Sequence, residues 1–253
     1  MRHLFALFLL LLISACAKPP QQIWTDLPSS DELLQRIEQT TGQVNSLDAA
    51  ASVALTTAGK FFSSQQFLLL ERPERLRTDI LTGFGQLILQ LTSDGEQLSV
   101  FVNTKVPGRF YRGEASPDNL ARFTRIPLQP RELVKILLYS PPMIQYQRQE
   151  VKPGENNGLL LLLENSDMRQ EVLFDAELRV IGCRYYSGNN LFLQVDYQRL
   201  DEEKQFPRTI RVELPEQQSR ATVKFSDLKL NLEIPADKFH LQPPDGIPVE
   251  PLP

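Results

Sequence analysis

Residues 67–102, FLLLERPERLRTDILTGFGQLILQLTSDGEQLSVFV, alternate apolar and polar side chains with a period close to two. This period places successive side chains on opposite faces of a β-strand. Turn signals divide the stretch at Pro73, at Gly83 and at Asp94-Gly95, because proline cannot donate to a strand ladder and Asp-Gly favours a tight hairpin. The stretch therefore predicts three or four consecutive antiparallel strands, around which the rest of the chain has to fold.

Strand-like stretches of the same kind stand on both sides of this segment. Alternation begins at Leu47 and passes a turn at Gly59 into a second strand that Pro73 interrupts. Short strands at spacings of about 8–12 residues are typical of an all-β sheet or barrel. Residues 159–163 are apolar at every position, so both faces of that strand should be covered. After residue 143 the predicted strands cover residues 144–151, 158–164, 169–174, 179–186, 191–198, 209–214 and 221–232.

Three amphipathic helices are predicted as well. Ser29 and Glu32 have the spacing of a capping box at the start of the first helix. Ser116-Pro117 and Pro130 are typical of the starts of the second and third, because proline suits the first helical position. The second and third helices interrupt the series of strands, so they predict either a cap on the sheet or a small subdomain.

These patterns predict a mainly β protein with a few helices, in which an antiparallel sheet or barrel carries a helical lid. One domain should extend over residues 29–242. The Pro-rich tail over residues 243–253 should be extended or disordered. Periodicity leaves two alternatives for the concave side of the sheet: a cavity lined by inward residues, or a solid core filled by the helices.

The first residues predict export and lipid attachment. A short basic start precedes an apolar run over residues 4–13, which is too short to cross a bilayer and suits the core of a signal peptide. The sequence ISAC after this run matches the bacterial lipobox. It predicts a lipoprotein signal peptide over residues 1–15, acyl chains such as palmitate on Cys16, and a lipid-anchored tether over residues 16–28. The alternative is an ordinary signal peptide cut next to Cys16, with that cysteine incidental.

The chain lacks the motifs of common enzymes. It has two histidines, His3 and His240, no phosphate-binding glycine loop and no G-x-S-x-G elbow. The net charge of −4 does not suit nucleic acid. Cys183 should be buried and inert, and the acidic cluster at residues 201–203 should be a solvated turn. The sequence therefore predicts no enzyme, no cofactor and no metal site, although a pair of carboxylates brought together by the fold stays an open alternative.

Residues 71–77, ERPERLR, the strand after them and the hairpin SDGEQL at residues 93–98 resemble the LolA/LolB superfamily. These proteins are the periplasmic carrier and the outer-membrane receptor of bacterial lipoprotein trafficking. The order of elements over roughly residues 29–241 is similar too. The resemblance implies a strongly curved antiparallel sheet, an incomplete β-barrel, that is closed by a helical lid over a hydrophobic cavity that takes acyl chains.

The lipobox favours the membrane-anchored, LolB-like branch of this superfamily. LolB-type receptors project a hydrophobic residue from a loop between two early strands, in a Pro-Leu-Gly-like context. Gly83-Phe84-Gly85 stands at the matching place, so the resemblance implies that Phe84 contacts the membrane or a partner. The chain departs from that pattern, because phenylalanine replaces leucine and glycine replaces proline.

The leading hypothesis is a lipoprotein of the bacterial outer membrane that faces the periplasm. It would bind acyl chains of lipoproteins or lipids without catalysis, in lipoprotein localisation or envelope lipid trafficking, with a periplasmic carrier protein as a partner. The alternative is a structural or assembly lipoprotein that binds a protein of an envelope export complex. The residues predicted to line the cavity are Leu87, Leu89, Leu91, Leu98 and Val100 from the sheet and Leu133 and Leu137 from the lid.

Overall fold

The computed structural model describes Trp24 and residues 26–252. The predicted signal peptide, Cys16 and most of the tether lie outside the described residues. No helix of the described part is long and apolar enough to cross a membrane.

Three α-helices begin where the sequence predicts them. Ser29 caps α1 (Ser30–Thr41), and its hydroxyl accepts a hydrogen bond from the Glu32 amide at 3.2 Å. The other two helices, α2 (Pro117–Thr124) and α3 (Pro130–Leu137), each begin with proline.

Fourteen strands form one sheet within the described residues. The first five strands coincide with the alternating stretch of residues 47–102, and the sixth follows it. The strands are β1 (Ser46–Thr57), β2 (Lys60–Glu71), β3 (Arg75–Leu81), β4 (Leu87–Ser93), β5 (Gln97–Val102), β6 (Arg109–Glu114), β7 (Arg148–Pro153), β8 (Leu159–Glu164), β9 (Met168–Phe174), β10 (Val180–Ser187), β11 (Asn190–Asp201), β12 (Phe206–Leu214), β13 (Ser219–Leu230) and β14 (Val249–Pro251).

Two antiparallel meanders make up this sheet. The N-terminal half is β1–β6 and the C-terminal half is β7–β13, and the halves join because β1 pairs with both β2 and β13. The sheet is strongly curved and is not closed into a barrel, which confirms the predicted fold class. The chain crosses from β6, near one edge, to β7 at the other edge, and α2 and α3 lie in this crossing. The crossing therefore carries the two helices over the concave face.

The strand β8 confirms the expectation that both of its faces are covered. Leu161 and Leu163 are fully buried on one face, and Leu162 between them is 8% exposed. By contrast, the strand predicted over residues 144–151 begins only at Arg148. The Ile144 amide donates to the side-chain oxygen of Gln170 at 2.9 Å, so this segment is held by a side chain rather than by a ladder.

Periodicity misses both β6 and β14, because the alternating pattern breaks after Phe110. The tail is extended and ordered along β6, with the Leu252 amide donating to the Arg112 carbonyl at 2.9 Å. Gly113 permits this contact, because a Cβ at that position would lie 2.5 Å from the Cβ of Leu252. A composition rich in proline gives no periodic signal for such pairing.

Candidate functional site

A cavity of about 410 Å³ lies between the concave face of the N-terminal half and the helices α2 and α3. Its size falls within the range of about 300–1,000 Å³ that is usual for small-molecule sites. Strands β1–β4 form most of the wall, and β12 and β13 close it at the seam between the two halves. The apolar lining residues are Val53, Leu55, Phe62, Leu68, Leu70, Leu76, Ile80, Ile88, Leu89, Leu91, Phe123, Ile126, Leu133, Leu137, Val212, Ala221 and Val223.

Four of the predicted cavity residues lie in this wall: Leu89 and Leu91 on β4, and Leu133 and Leu137 on α3. The other three do not line it. Leu98 and Val100 on β5 are fully buried in the adjoining core and have no exposed surface to offer a ligand. Leu87 is half-buried at the start of β4, where the register with β3 shifts between Ile80 and Leu81. Acyl binding by these seven residues stays a prediction.

Several wall residues were not predicted. Val53 and Leu55 on β1 lie opposite Ser64 and Phe62 of β2, and Val223 faces the cavity from β13. The alternation of β1 could have identified the first two, although small and polar neighbours weaken it there. The contribution of β13 depends on pairing between the two ends of the sheet, which local periodicity does not contain.

Four polar side chains of the wall form hydrogen bonds within the protein. The Thr78 hydroxyl donates to the Gln66 side-chain oxygen at 3.0 Å, and the Gln66 side-chain nitrogen donates to the Ser64 hydroxyl at 3.0 Å. The Thr124 hydroxyl donates to the Leu120 carbonyl at 2.9 Å. Because these groups are already satisfied, the cavity offers mainly hydrocarbon surface to a ligand.

The two charged residues of the wall are both cationic. Arg77 forms an ion pair with Asp79, with a nitrogen–oxygen distance of 3.0 Å. Arg125 is exposed at the end of α2, and its side chain has no ion pair or hydrogen bond within the described residues. Among the residues that the structure describes, no carboxylate lines the cavity. The charges at this opening therefore favour an anionic group over a cationic one.

The C-terminal half of the concave face is filled instead. Tyr139, just after α3, donates its hydroxyl hydrogen bond to the Val180 carbonyl at 2.8 Å, and its ring packs edge-on against Tyr197 with centroids 4.8 Å apart. Burial raises the pKa of the Tyr139 and Tyr197 hydroxyls and of the Cys183 thiol. Cys183 is buried, as the sequence predicts.

The predicted loop residue Phe84 lies at the tip of the β3–β4 hairpin with its side chain 97% exposed. The Thr82 hydroxyl accepts hydrogen bonds from the amides of Phe84 and Gln86 at 3.3 and 3.1 Å. Gly85 adopts a φ of +80°, a region that glycine enters without steric cost. A bonded turn therefore presents this phenylalanine to solvent.

The described residues show no group of three or more His, Cys, Asp or Glu side chains that could hold a metal ion. The acidic cluster includes Asp201, which accepts from the Glu203 and Lys204 amides at 3.1 and 2.9 Å. Its carboxylate also pairs with Arg208, and the pKa of Asp201 is lowered, first by the Lys204 amide and then by Arg208. The acidic cluster therefore forms a turn that is held by its own hydrogen bonds and ion pair.

No protein-family model and no curated protein matches this sequence. Solved structures resemble it in fold. A LolA superfamily protein from Nitrosomonas europaea aligns over 85% of this chain and 99% of its own, with a TM-score of 0.55 and 13% identity. A DUF1329 family protein from Desulfovibrio piger aligns over 83% of this chain and 95% of its own, with a TM-score of 0.53 and 13% identity.

A domain from Vibrio parahaemolyticus named for outer membrane lipoprotein sorting is similar as well. It aligns over 83% of this chain and 97% of its own, with a TM-score of 0.50 and 11% identity. Sequence identities this low are evidence of a similar fold only. The chain has the fold of the LolA superfamily, which confirms the resemblance at that level.

Proposed function

We propose that this protein is a membrane-anchored lipoprotein whose cavity binds acyl chains of lipoproteins or lipids, in lipoprotein localisation or envelope lipid trafficking. The observation that carries the proposal is the cavity of about 410 Å³, which is lined mainly by aliphatic side chains and in which the side chains of Ser64, Gln66 and Thr78 bond to one another. An apolar cavity of about 150 Å³ can already stay dry and bind benzene. A hydrocarbon chain is the ligand that such a surface recognises.

The hydrophobic effect supplies the affinity. Burial contributes about 0.8 kcal/mol per methylene, so a chain of about 14 carbons gains on the order of 10 kcal/mol before the costs of binding. The described residues of the wall are mainly apolar, which supports a ligand that is held and released without chemical change. A carrier or receptor needs this combination of affinity and reversibility.

The anchor and the location complete the proposal. Acyl chains on Cys16 would hold the protein at the periplasmic side of the outer membrane, where a periplasmic carrier could deliver the ligand. Stable anchoring requires more than one acyl chain. Metabolic labelling with palmitate should mark the protein, and Cys16→Ser should abolish the label and release the protein from membranes.

Ligand binding is tested by purifying the protein gently from a bacterial host and identifying extracted lipids by mass spectrometry. We expect acyl lipids at about one molecule per protein and uptake of a fluorescent fatty acid after delipidation. A protein that is lipid-free and also refuses the fatty acid would overturn the cavity proposal. A stable protein partner recovered without lipid would favour the assembly role instead.

Phe84 is proposed to assist transfer of the ligand at the membrane or at a partner. Phe84→Glu should slow delivery of lipoproteins to the outer membrane while leaving uptake of the fluorescent fatty acid unchanged, because Phe84 is outside the cavity wall. Normal delivery by this variant would remove the proposed role.

A further inference from the structure

Three hairpin tips of the N-terminal half lie at one end of the sheet. In an antiparallel meander alternate turns share an end, so the β1–β2, β3–β4 and β5–β6 turns are neighbours. Neighbouring tips are two strand spacings apart, which is about 10 Å. We name residues 58–62, 82–86 and 103–108 the apolar tips.

Each apolar tip exposes a large hydrophobic side chain. Phe61 is 69% exposed, Phe84 is 97% exposed and Val106 is 99% exposed. Exposed apolar residues are ordinary when scattered singly, but three on adjacent tips form a patch, and patches mark interaction sites. Phe84 and Val106 lie in the turns themselves, and Phe61 lies directly after its turn, at the start of β2, where it is paired with Thr56.

The turns at the opposite end of the same strands are covered. Glu74 in the β2–β3 turn pairs with Arg131 at the start of α3 at 3.1 Å. Arg72 donates to the Thr41 carbonyl at 2.7 Å, where α1 ends. The uncovered apolar tips are therefore a property of one end of the sheet.

Charge separates the apolar tips from the neighbouring tips of the C-terminal half. The apolar tips contain Lys60 and Lys105 and no acidic residue, in a chain with a net charge of −4. At the same end of the sheet, the β8–β9, β10–β11 and β12–β13 turns (residues 165–167, 187–190 and 215–218) are polar, with two acids and no base. Only the N-terminal half thus combines apolar and basic groups.

The cavity reaches the surface beside the apolar tips. Phe62 belongs to the first tip, is 53% exposed and also lines the cavity. A flat apolar phase that touched the tips would therefore lie next to the cavity opening.

We propose that the apolar tips dock onto an anionic phospholipid bilayer. Phe61, Phe84 and Val106 would enter the boundary between head groups and acyl chains, where apolar side chains leave water. Lys60 and Lys105 would lay their stems along that boundary and place their ammonium groups among lipid phosphates. A protein partner has no comparable support, since the patch is convex and split over three separate tips. The docking surface rests on the role proposed for Phe84, which it assigns to the membrane, and it does not depend on the acyl cavity.

The test is sedimentation of residues 17–253 with vesicles. This chain lacks the lipid anchor and keeps every described residue, so the described core is complete. One set of vesicles contains phosphatidylglycerol and phosphatidylethanolamine, and the other contains phosphatidylcholine alone. The variant Phe61→Ser/Phe84→Ser/Val106→Ser removes the apolar side chains, and Lys60→Gln/Lys105→Gln removes the charges.

The matched control is Phe67→Ser. Phe67 lies on β2 as Phe61 does and is 51% exposed, but it stands in the middle of the strand and away from the tips. Uptake of a fluorescent fatty acid and the circular dichroism spectrum show whether each variant keeps the cavity and the fold. Exposed substitutions of this kind usually change stability by less than about 0.5 kcal/mol.

We expect the parent chain to sediment with the anionic vesicles and the triple variant to bind them at least about tenfold more weakly. The lysine variant should lose about tenfold on anionic vesicles and nothing on phosphatidylcholine. Phe67→Ser should bind like the parent, and all variants should keep fatty-acid uptake. Lack of vesicle binding by the parent, equal binding by the triple variant, or concentration-dependent dimerisation through the tips would overturn the proposal.

Discussion

The two halves of the sheet lie under one helical crossing, yet one half is hollow and the other is packed. Beneath α2 and α3, the strands β1–β4 present aliphatic side chains such as Val53 and Leu89 to an open space. Beneath the segment after α3, the strands β11 and β12 present the rings of Tyr197 and Phe206, whose centroids lie 4.8 and 6.1 Å from that of Tyr139.

The difference comes from the chain segment just after α3. The Tyr139 hydroxyl and the Tyr185 hydroxyl donate to the Val180 and Pro142 carbonyls at 2.8 and 2.7 Å, and these bonds hold the crossing chain down on the C-terminal half. The helices roof the N-terminal half with Leu133 and Leu137 and leave space beneath them. The packed C-terminal half stabilises the fold, and the N-terminal half can therefore keep a cavity.

The largest expected loss of stability comes from a substitution in the packed half. Phe206 is fully buried, and Phe206→Ala should lower the free energy of unfolding by about 3–5 kcal/mol, because it leaves a void in a close-packed core. Phe62→Ala, at the rim of the hollow half, should cost less than about 1 kcal/mol. Urea denaturation measures both, and equal losses would contradict the division into halves.

Two substitutions that replace a valine with a larger side chain, one in each half, test the same comparison. Val195→Phe in the packed half should cost about 1–3 kcal/mol, because it overfills a core without space. Val223→Phe points into the cavity, so it should cost less than about 1 kcal/mol and should reduce fatty-acid uptake. If Val195→Phe is the better tolerated of the two, the hollow and packed halves are wrongly assigned.

Tyr197 offers a gain in stability within the packed half. Its buried hydroxyl has no hydrogen-bond partner among the described residues, so Tyr197→Phe should raise the free energy of unfolding by about 1 kcal/mol. Burial raises the pKa of this hydroxyl. The folded state therefore favours the neutral phenol. The free energy of unfolding keeps this contribution below the pKa of the unfolded chain and loses it as pH rises above that pKa, because the unfolded chain ionises first.

Denaturation at pH 8 and at pH 11 checks this linkage. The parent should lose stability between the two, and Tyr197→Phe should lose less, since it has one fewer group to ionise. An unchanged difference between the two proteins at both pH values would contradict a pKa of Tyr197 that is raised by folding.

The smallest expected effect concerns the opening of the hollow half. Arg125→Gln should weaken binding of a fatty acid by about twofold to fivefold, since an exposed ion pair contributes about 0.2–1 kcal/mol. Binding of an uncharged monoacylglycerol with the same chain should not change. Equal losses for both ligands would assign Arg125 to the shape of the opening rather than to its charge.

Much of the fold could be predicted from the sequence because the signals are local. Alternation and the turn at Asp94-Gly95 predict the first meander, and the caps at Ser29 and Ser116 fix helix starts. The pairing of β1 with β13 and of β14 with β6 depends on contacts between distant segments. Local patterns contain no information on such contacts.

The candidate site divides in the same way. The leucines of β4 could be placed on an inward face, and four of the seven predicted residues line the cavity. Leu98 and Val100 lie on an inward face too, yet the core covers them. Periodicity predicts which face of the sheet a residue occupies. The position of the cavity depends instead on where the segment after α3 packs onto the sheet, at Tyr139.

The hollow half is tested most directly by photolabelling with a fatty acid that carries a diazirine on its chain, followed by peptide mass spectrometry. The account predicts labels within residues 53–91, 123–137 and 212–223, on the strands and helices that enclose the cavity, and their loss when unlabelled fatty acid competes. Labels confined to residues 168–201 of the packed half would contradict the account.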